Sequence, residues 1–299
     1  MKIMMVTGPG VNESCGLSIY SHDLGRYIAT TPDSEVEIEK GITPERLAEN
    51  PVEFWRSWRD YCLKHEAAAP GPAHEAVRRI ADLASGFVEV TQNLDQIPFH
   101  GEPGVHWRIM LHGRLDEYCC KQCNSRFSMN VAEDVSIPPF FELAKIVSTR
   151  PLADSKGNCS IYHEAVQPKN SWMEGGISTD KYSEAMEQAE QCDLLIICGA
   201  KIYDYVTRYI EAAMNNGAQV LYIDPGASPY RKRLMVSGLD LETLSRILCV
   251  QGRPDDVMPA LRDFLSVQKL QSLKYSSKPY VDKAALSAWA SAFASPAAA

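Results

Sequence analysis

Short apolar runs that stop at a glycine or a polar turn, alternating with stretches of helical periodicity, constrain this chain more than any other feature. The run at 3–6 enters Thr7-Gly8-Pro9-Gly10, and the run at 87–91 enters Gln92-Asn93. The run at 194–198 stops at Gly199, and the run at 219–223 stops at Asp224-Pro225-Gly226. Each has the length of a buried strand. Val77, Ile80, Ala81 and Ala84 recur at helical spacing before Gly86, and 185–191, 203–215, 241–248 and 255–266 also read as helices. Strands alternating with helices predict an α/β fold, a parallel sheet with helices on both faces.

In such a sheet, ligands sit at the carboxyl ends of the strands. Three strand ends here suit a nucleotide. Gly8-Pro9-Gly10 allows close backbone approach to a pyrophosphate, with Gly16 six residues beyond Gly10; an ordinary turn explains it equally well. Gly199-Ala200 offers the same freedom after the apolar run 194–198. Asp224 can accept hydrogen bonds from two ribose hydroxyls, or serve as a turn aspartate. Together they make the sheet Rossmann-like and the expected ligand a dinucleotide.

Composition removes several function classes. The chain has 299 residues, 45% of them hydrophobic and 23% charged, and a formal net charge of −8. An acidic chain is a poor partner for nucleic acid phosphates, so no nucleic acid is expected. No apolar run reaches membrane-spanning length, and the first residues enter a glycine turn with no cleavage-site pattern, so neither membrane nor export is expected. Nine cysteines without an export signal read as reduced thiols in a cytoplasmic or nuclear protein.

Thr91-Gln92-Asn93-Leu94-Asp95 followed by His112-Gly113 is the most specific pattern in the chain. With Thr7 to Gly10 and Gly16, the segment 50–58, Pro70, His74, the Cys120 pair, Pro168, Trp172, Gly199 and Asp224, it resembles the sirtuin family of NAD-dependent protein deacylases over roughly residues 3–262. The resemblance implies the roles. Asn93 would hold the nicotinamide ribose and a water, Gln92 the same ribose, and Asp95 with the Leu94 backbone the nicotinamide carboxamide. His112 would be the general base on a ribose hydroxyl, a task suited to a histidine near neutral pKa. Asn93, Asp95 and His112 are therefore the expected catalytic set. Gly8, Pro9, Gly10, Asn12, Tyr20, Gln92, Leu94, Gly199, Ala200, Lys201 and Asp224 complete the expected NAD contacts.

The chain departs from the family in several places. Pro9 and Asn12 stand where the family has alanine and serine. Ser18, Tyr20 and Ser21 stand where it has proline, phenylalanine and arginine, so a charged cofactor contact is lost, with Arg26 a candidate substitute. Lys201 replaces a serine near the cofactor phosphates; it can pair with phosphate or be a solvated helix-start lysine. Asp224 replaces an asparagine. The expected acyl-peptide strand reads Pro168-Lys169-Asn170-Ser171-Trp172-Met173, with Asn170 and Ser171 polar where the family is apolar. Burying either against an acyl chain without a partner would cost about 1–3 kcal/mol. Asn170, Ser171, Trp172 and Met173 are the expected substrate contacts.

Cys120-Lys121-Gln122-Cys123 has the spacing of half a structural zinc ribbon. The family's second pair is incomplete: Cys159 fits, Tyr162 does not, and His163 follows one residue on. Cys120, Cys123, Cys159 and His163 can form a Cys3His tetrahedron, or the metal is lost; Cys119 is a spare thiol alongside.

The expected organisation is an NAD-binding domain at 1–113 and 166–266, with a helical cofactor-loop insert at about 24–72. A small zinc-ribbon-like module, metal-bound or metal-free, takes up 114–165, and a tail 267–299. Within 30–72 the chain reads as irregular apart from a helix-like piece at 52–63. Three functions remain open: deacylation of an acylated lysine or related acyl substrate; NAD hydrolysis or ADP-ribosyl transfer to a protein or small-molecule acceptor; and non-catalytic NAD binding by a degenerate regulatory protein.

Overall fold

The computed structural model describes residues 1–17, 19–21, 26–28, 42–97, 107–120, 126–128, 166–174, 176–225, 239–275 and 282–293. The apolar runs form the expected sheet. Six parallel strands lie in the order β11-β10-β9-β1-β4-β5, with β1 Lys2–Thr7, β4 Gly86–Thr91, β5 Trp107–Met110, β9 Leu194–Cys198, β10 Gln219–Asp224 and β11 Ile247–Gln251. The chain builds outward from β1 to β4 and β5, then returns to β1 and builds the other way through β9. That reversal opens a crevice at the carboxyl ends of β1, β4 and β9.

Alternation along the central strands sends side chains to two cores. Met4, Val6, Leu195 and Ile197 meet Ala185, Val206, Tyr209, Ile210 and Ala213 from α5 (Thr179–Ala189) and α6 (Asp204–Asn215). On the other face, Ile3, Met5, Leu194 and Ile196 meet Val77 and Ile80 of α3 (Pro72–Leu83) and Met258 and Leu261 of α8 (Pro254–Tyr275). The Rossmann-like sheet with helices on both faces is therefore the architecture found. A three-stranded antiparallel sheet, β7-β6-β8, stands beside it, made of β6 Gly113–Cys120, β7 Arg126–Ser128 and β8 Val166–Asn170. A hairpin pairs β2 (Ile19–Ser21) with β3 (Arg26–Ile28). No helix among the described residues is long and apolar enough to cross a membrane.

Several boundaries differ from expectation for identifiable reasons. The stretch read as mostly irregular holds α1 (Pro44–Glu49) and α2 (Pro51–Ala67). Its prolines start these helices instead of breaking them: Pro44 and Pro51 occupy the first turn, where a missing N–H costs nothing, behind Thr43 and Asn50 as caps. The helix expected over 241–248 is α7 (Leu241–Arg246), and Ile247 onward is edge strand β11. Leu241, Leu244 and Leu248 keep a helical spacing across that junction, so periodicity could not separate the two. Helix 185–191 begins earlier, at Thr179.

The pattern expected to fade after Val267 continues as helix. α8 reaches Tyr275, and α9 (Lys283–Phe293) packs Leu286 and Ala290 into the core. Val267 and Leu270 are exposed, 51% and 61%, so this part of α8 shows no apolar stripe.

Candidate active site

At the crevice, two turns interlock backbone to backbone. A Cβ on Gly8 would come within 2.6 Å of the Ala200 Cα, and one on Gly10 within 2.7 Å of the Gly199 Cα. Gly10 N–H donates to the Gly199 carbonyl at 2.9 Å. The glycines expected to make room for a pyrophosphate are thus required already by the contact of the two turns. Pro9 opens the 3-10 helix Pro9–Cys15, which places Asn12 inside the protein.

Asn12 links the next group. His74 Nδ1 accepts from Gly71 N–H at 3.1 Å, which leaves the ring proton on Nε2, 2.9 Å from Asn12 Oδ1. Asn12 Nδ2 donates to Asp95 Oδ2 at 2.8 Å. Asn93 Nδ2 lies 3.2 Å from the Gly8 carbonyl and 3.3 Å from Asn12 Oδ1. Asp95 Oδ1 accepts from Ile97 N–H at 3.2 Å. Asn12, Asn93, Leu94 and Asp95 are all buried. Among the described residues Asn93 Oδ1 has no hydrogen-bond partner, and each Asp95 oxygen keeps a lone pair, as a ribose and a carboxamide would need. This donor and acceptor set fits NAD.

His112 follows β5 directly, where Leu111 N–H donates to the Thr91 carbonyl at 2.9 Å. Its Nε2 is 3.0 Å from the Tyr205 hydroxyl, which also accepts from Gln92 Nε2 at 3.0 Å. Gln92 is otherwise engaged with the Lys201 backbone, donating to its carbonyl at 2.7 Å and accepting from its N–H at 2.8 Å. Burial pushes the His112 imidazole down to about 4; a hydrogen bond to the Gln92 backbone opposes this, and the Lys201 ammonium adds to the fall. His112 is therefore neutral at pH 7 but well below the near-neutral value expected of the base, because it is buried; with the Gln92 backbone taking the other ring nitrogen, Nε2 faces the Tyr205 hydroxyl. Burial pushes the Tyr205 phenol up, so it stays a donor. No sequence signal points to Tyr205: a lone tyrosine six residues past Gly199 stands out only once the fold sets it against His112.

Lys201 Nζ stands 4.7 Å from the centre of the Tyr203 ring, a cation–π contact that differs from a freely solvated lysine. Asp224 ends β10, where its carbonyl accepts from Gly252 N–H at 3.1 Å. Tyr20 lies in β2, and its side chain is outside the described residues.

The expected substrate strand is extended only to Asn170; Ser171–Glu174 forms a short helical turn, α4. Asn170 causes the bend: its buried side-chain oxygen accepts from Met173 N–H at 3.1 Å, a helix cap. The polar oxygen there answers a backbone need. Ser171 N–H donates to the His112 carbonyl at 2.8 Å, so the segment does border the base. Met173 is buried, and the Trp172 side chain is outside the described residues.

Cys123, Cys159 and His163 also lie outside the described residues, and only the backbone of Cys120 is described. Cys119 is buried, 3.8 Å from Gln167 Nε2. Among the described residues no three His, Cys, Asp or Glu side chains gather around a metal position. A zinc on the expected quartet would be structural, and no chemical step depends on it.

A family model described as the Sir2 family matches residues 8–203. An NAD-dependent protein deacylase of Aquifex aeolicus is 24% identical over 235 residues, 78% of this chain and 87% of that protein. One of Thermus thermophilus is 29% identical over 233 residues, 76% of this chain and 81% of the other. A crystal structure of a Sir2 homolog–NAD complex superimposes with TM-score 0.63 at 20% identity, covering 90% of each chain. Sir2Tm bound to a propionylated peptide superimposes with TM-score 0.58 at 18% identity, covering 88% of this chain and 92% of that one.

Proposed function

The chain belongs to the Sir2 family, and on that premise we propose that it is an NAD-dependent protein deacylase. It cleaves the nicotinamide–ribose bond of NAD and transfers the acyl group of an acylated lysine to the ADP-ribose portion. Support comes from relatives that are NAD-dependent protein deacylases, at 24% identity in Aquifex aeolicus and in Pyrococcus abyssi. The observation that carries the reading is the buried Asn12–Asn93–Asp95 cluster beside the Gln92–Tyr205–His112 line.

Bound NAD supplies the scissile bond and a neutral leaving group. Asn93 would orient the ribose through an amide held by the Gly8 carbonyl, and Gln92, whose N–H groups serve the Lys201 carbonyl and the Tyr205 hydroxyl, would contact it only through its side-chain oxygen. Asp95 and the Leu94 backbone would hold the carboxamide. With NAD bound, His112 Nε2, now facing the Tyr205 phenol, would be the group that accepts a proton from a ribose hydroxyl, and it is neutral at pH 7 as that role requires. Lys201 would pair with the phosphates, and Asp224 would accept from the hydroxyls of the second ribose. Asn170 to Met173 border the acyl-lysine. The core at 1–113 and 166–266 would hold NAD, in cytoplasmic surroundings.

Measuring nicotinamide release from NAD with and without an acetyl-lysine peptide and a longer-chain acyl-lysine peptide tests the proposal. Peptide-dependent release is the expected result. Release that ignores both peptides would replace deacylation with NAD hydrolysis or ADP-ribosyl transfer. No release, together with an NAD-dependent rise in melting temperature, would leave a non-catalytic NAD-binding protein.

A further inference from the structure

Beneath the cluster at the end of β4 lies a second polar network that has no place in the chemistry above. Glu89 is fully buried in the middle of β4, facing Arg108 of β5, with Arg108 Nε 2.7 Å from Glu89 Oε2. Thr7 Oγ1 lies 2.6 Å from Glu89 Oε1 and 2.9 Å from Thr91 Oγ1. A hydroxyl has one proton, and an ionised carboxylate paired with a guanidinium accepts but cannot donate. Thr7 therefore donates to Glu89, and Thr91 donates to Thr7. Thr91 Oγ1 in turn accepts from Asn93 N–H at 3.1 Å. From the other side of the ion pair, Arg108 Nη1 donates to the Asp95 carbonyl at 2.9 Å.

The links form one continuous path whose donors converge on the Glu89 carboxylate, Thr7 by a hydrogen bond and Arg108 by charge. It runs from the Asn93 amide through Thr91 and Thr7 to Glu89, across to Arg108, and back to the Asp95 carbonyl. Both ends fall on the three-residue loop expected to hold the nicotinamide ribose and carboxamide. We infer that the buried Glu89–Arg108 pair is a positioning device that clamps the Asn93–Asp95 loop from beneath, through the two threonine hydroxyls on one side and a guanidinium arm on the other. Neither residue touches NAD; both act through the loop, and the catalytic part of the inference rests on the deacylase reading.

A buried ion pair adds little to stability compared with apolar residues of similar volume, and replacing both partners is often neutral, whereas removing one leaves a buried charge unpaired. That asymmetry supplies the test. The double variant Glu89→Leu/Arg108→Met removes the clamp without leaving a lone charge. Hydrogen–deuterium exchange of the NAD-free protein then reads the loop directly. The expected result is a melting temperature within about 4 °C of the parent. Exchange across residues 91–97 should be at least tenfold faster, with protection at 194–198 unchanged. The kcat for nicotinamide release should fall about tenfold or more, a loss that a 1 Å misplacement of the reacting groups can produce.

A folded double variant whose 91–97 segment keeps parental protection would overturn the inference. If the double variant does not fold, Arg108→Lys decides. It keeps a positive charge against Glu89 but gives up the fixed two-direction geometry of the guanidinium, so faster exchange at 95–97 is expected, and parental exchange there would also overturn it. The exchange result stands apart from the deacylase reading: a parent protein that releases no nicotinamide sinks that reading and leaves the loop measurement intact.

Discussion

β1 is flanked by two strands built on opposite principles. β9 is wholly apolar, and every residue from Leu194 to Cys198 is buried. β4 is equally buried over its last four residues, yet it carries Glu89 and Thr91 inside. Stability alone favours the first arrangement, since a carboxylate taken out of water costs several kcal/mol that only a well-placed partner returns. The difference separates their tasks. β9 holds the sheet together and delivers Gly199 to the crevice; β4 carries polar groups through the core to fix the loop at its end.

If that division is right, changes beyond β4 remove chemistry and changes within β9 remove stability. The largest effect is expected for the groups beyond β4 and β5. His112→Ala should lower complete turnover by about 10²–10⁴-fold while leaving some nicotinamide exchange. Asn93→Ala should suppress exchange and turnover together, because orienting the ribose precedes any proton transfer. Steady-state kinetics with labelled nicotinamide, on variants with parental circular dichroism, reads both. Parental turnover in His112→Ala would remove it as the base.

Ile196→Ala in β9 makes the converse case. It should destabilise the fold by about 2–5 kcal/mol through lost burial and a cavity, with KM for NAD unchanged at a temperature where the variant is folded. Urea melts and kinetics check the pair of outcomes. A raised KM without loss of stability would show β9 to be part of the site and break the comparison.

A subtler expectation concerns pH. His112 is depressed to about 4 by burial, and burial also lowers His65. The unfolded chain, with histidines near their usual value of about 6.5, then binds more protons than the folded one at mildly acidic pH. The contribution of His112 is therefore fully present above about pH 6.5 and declines as pH falls toward 4. Melting temperature should drop across that interval in the parent and less in His112→Ala. The acid limb of kcat/KM should lie near the depressed value, leaving the rate flat from pH 8 down to about 5. A limb near 6.5 would mean that the imidazole is solvated in the working enzyme.

The smallest effect is expected at Tyr205→Phe. The phenol donates to the neutral imidazole and so helps keep it neutral. Its removal should raise the His112 pKa by less than about one unit and change kcat only a few-fold, read as a shifted acid limb. A loss as large as that of His112→Ala would make Tyr205 a participant in the chemistry.

How much was legible beforehand follows the range of the interactions involved. Strands β1, β4, β9 and β10 were readable because a buried parallel strand is a short apolar run with a turn at its end, and both signals are local. Asn93, Asp95 and His112 were singled out by a resemblance to one family, and the fold sets them at the ends of neighbouring strands. β11 was not, because its apolar residues continue a helical spacing across the end of α7. The bend at Asn170 was not, because a polar side chain can satisfy the backbone or disrupt a groove, and only the observed bond to Met173 N–H chooses between them.

The sequence by itself determined the parallel sheet, the glycine and carboxylate ends of its strands, and the residue types at the crevice, since each depends on neighbours within a few positions. Tertiary structure alone decided which of those residues meet. Glu89 and Arg108 are 19 positions apart, Thr7 and Glu89 82, and His112 and Tyr205 93. Contacts at that range exist only because β1, β4 and β5 lie side by side in parallel register and α6 begins one short turn after β9. A buried polar side chain takes whatever partner the closed sheet presents, and no local pattern can encode that choice.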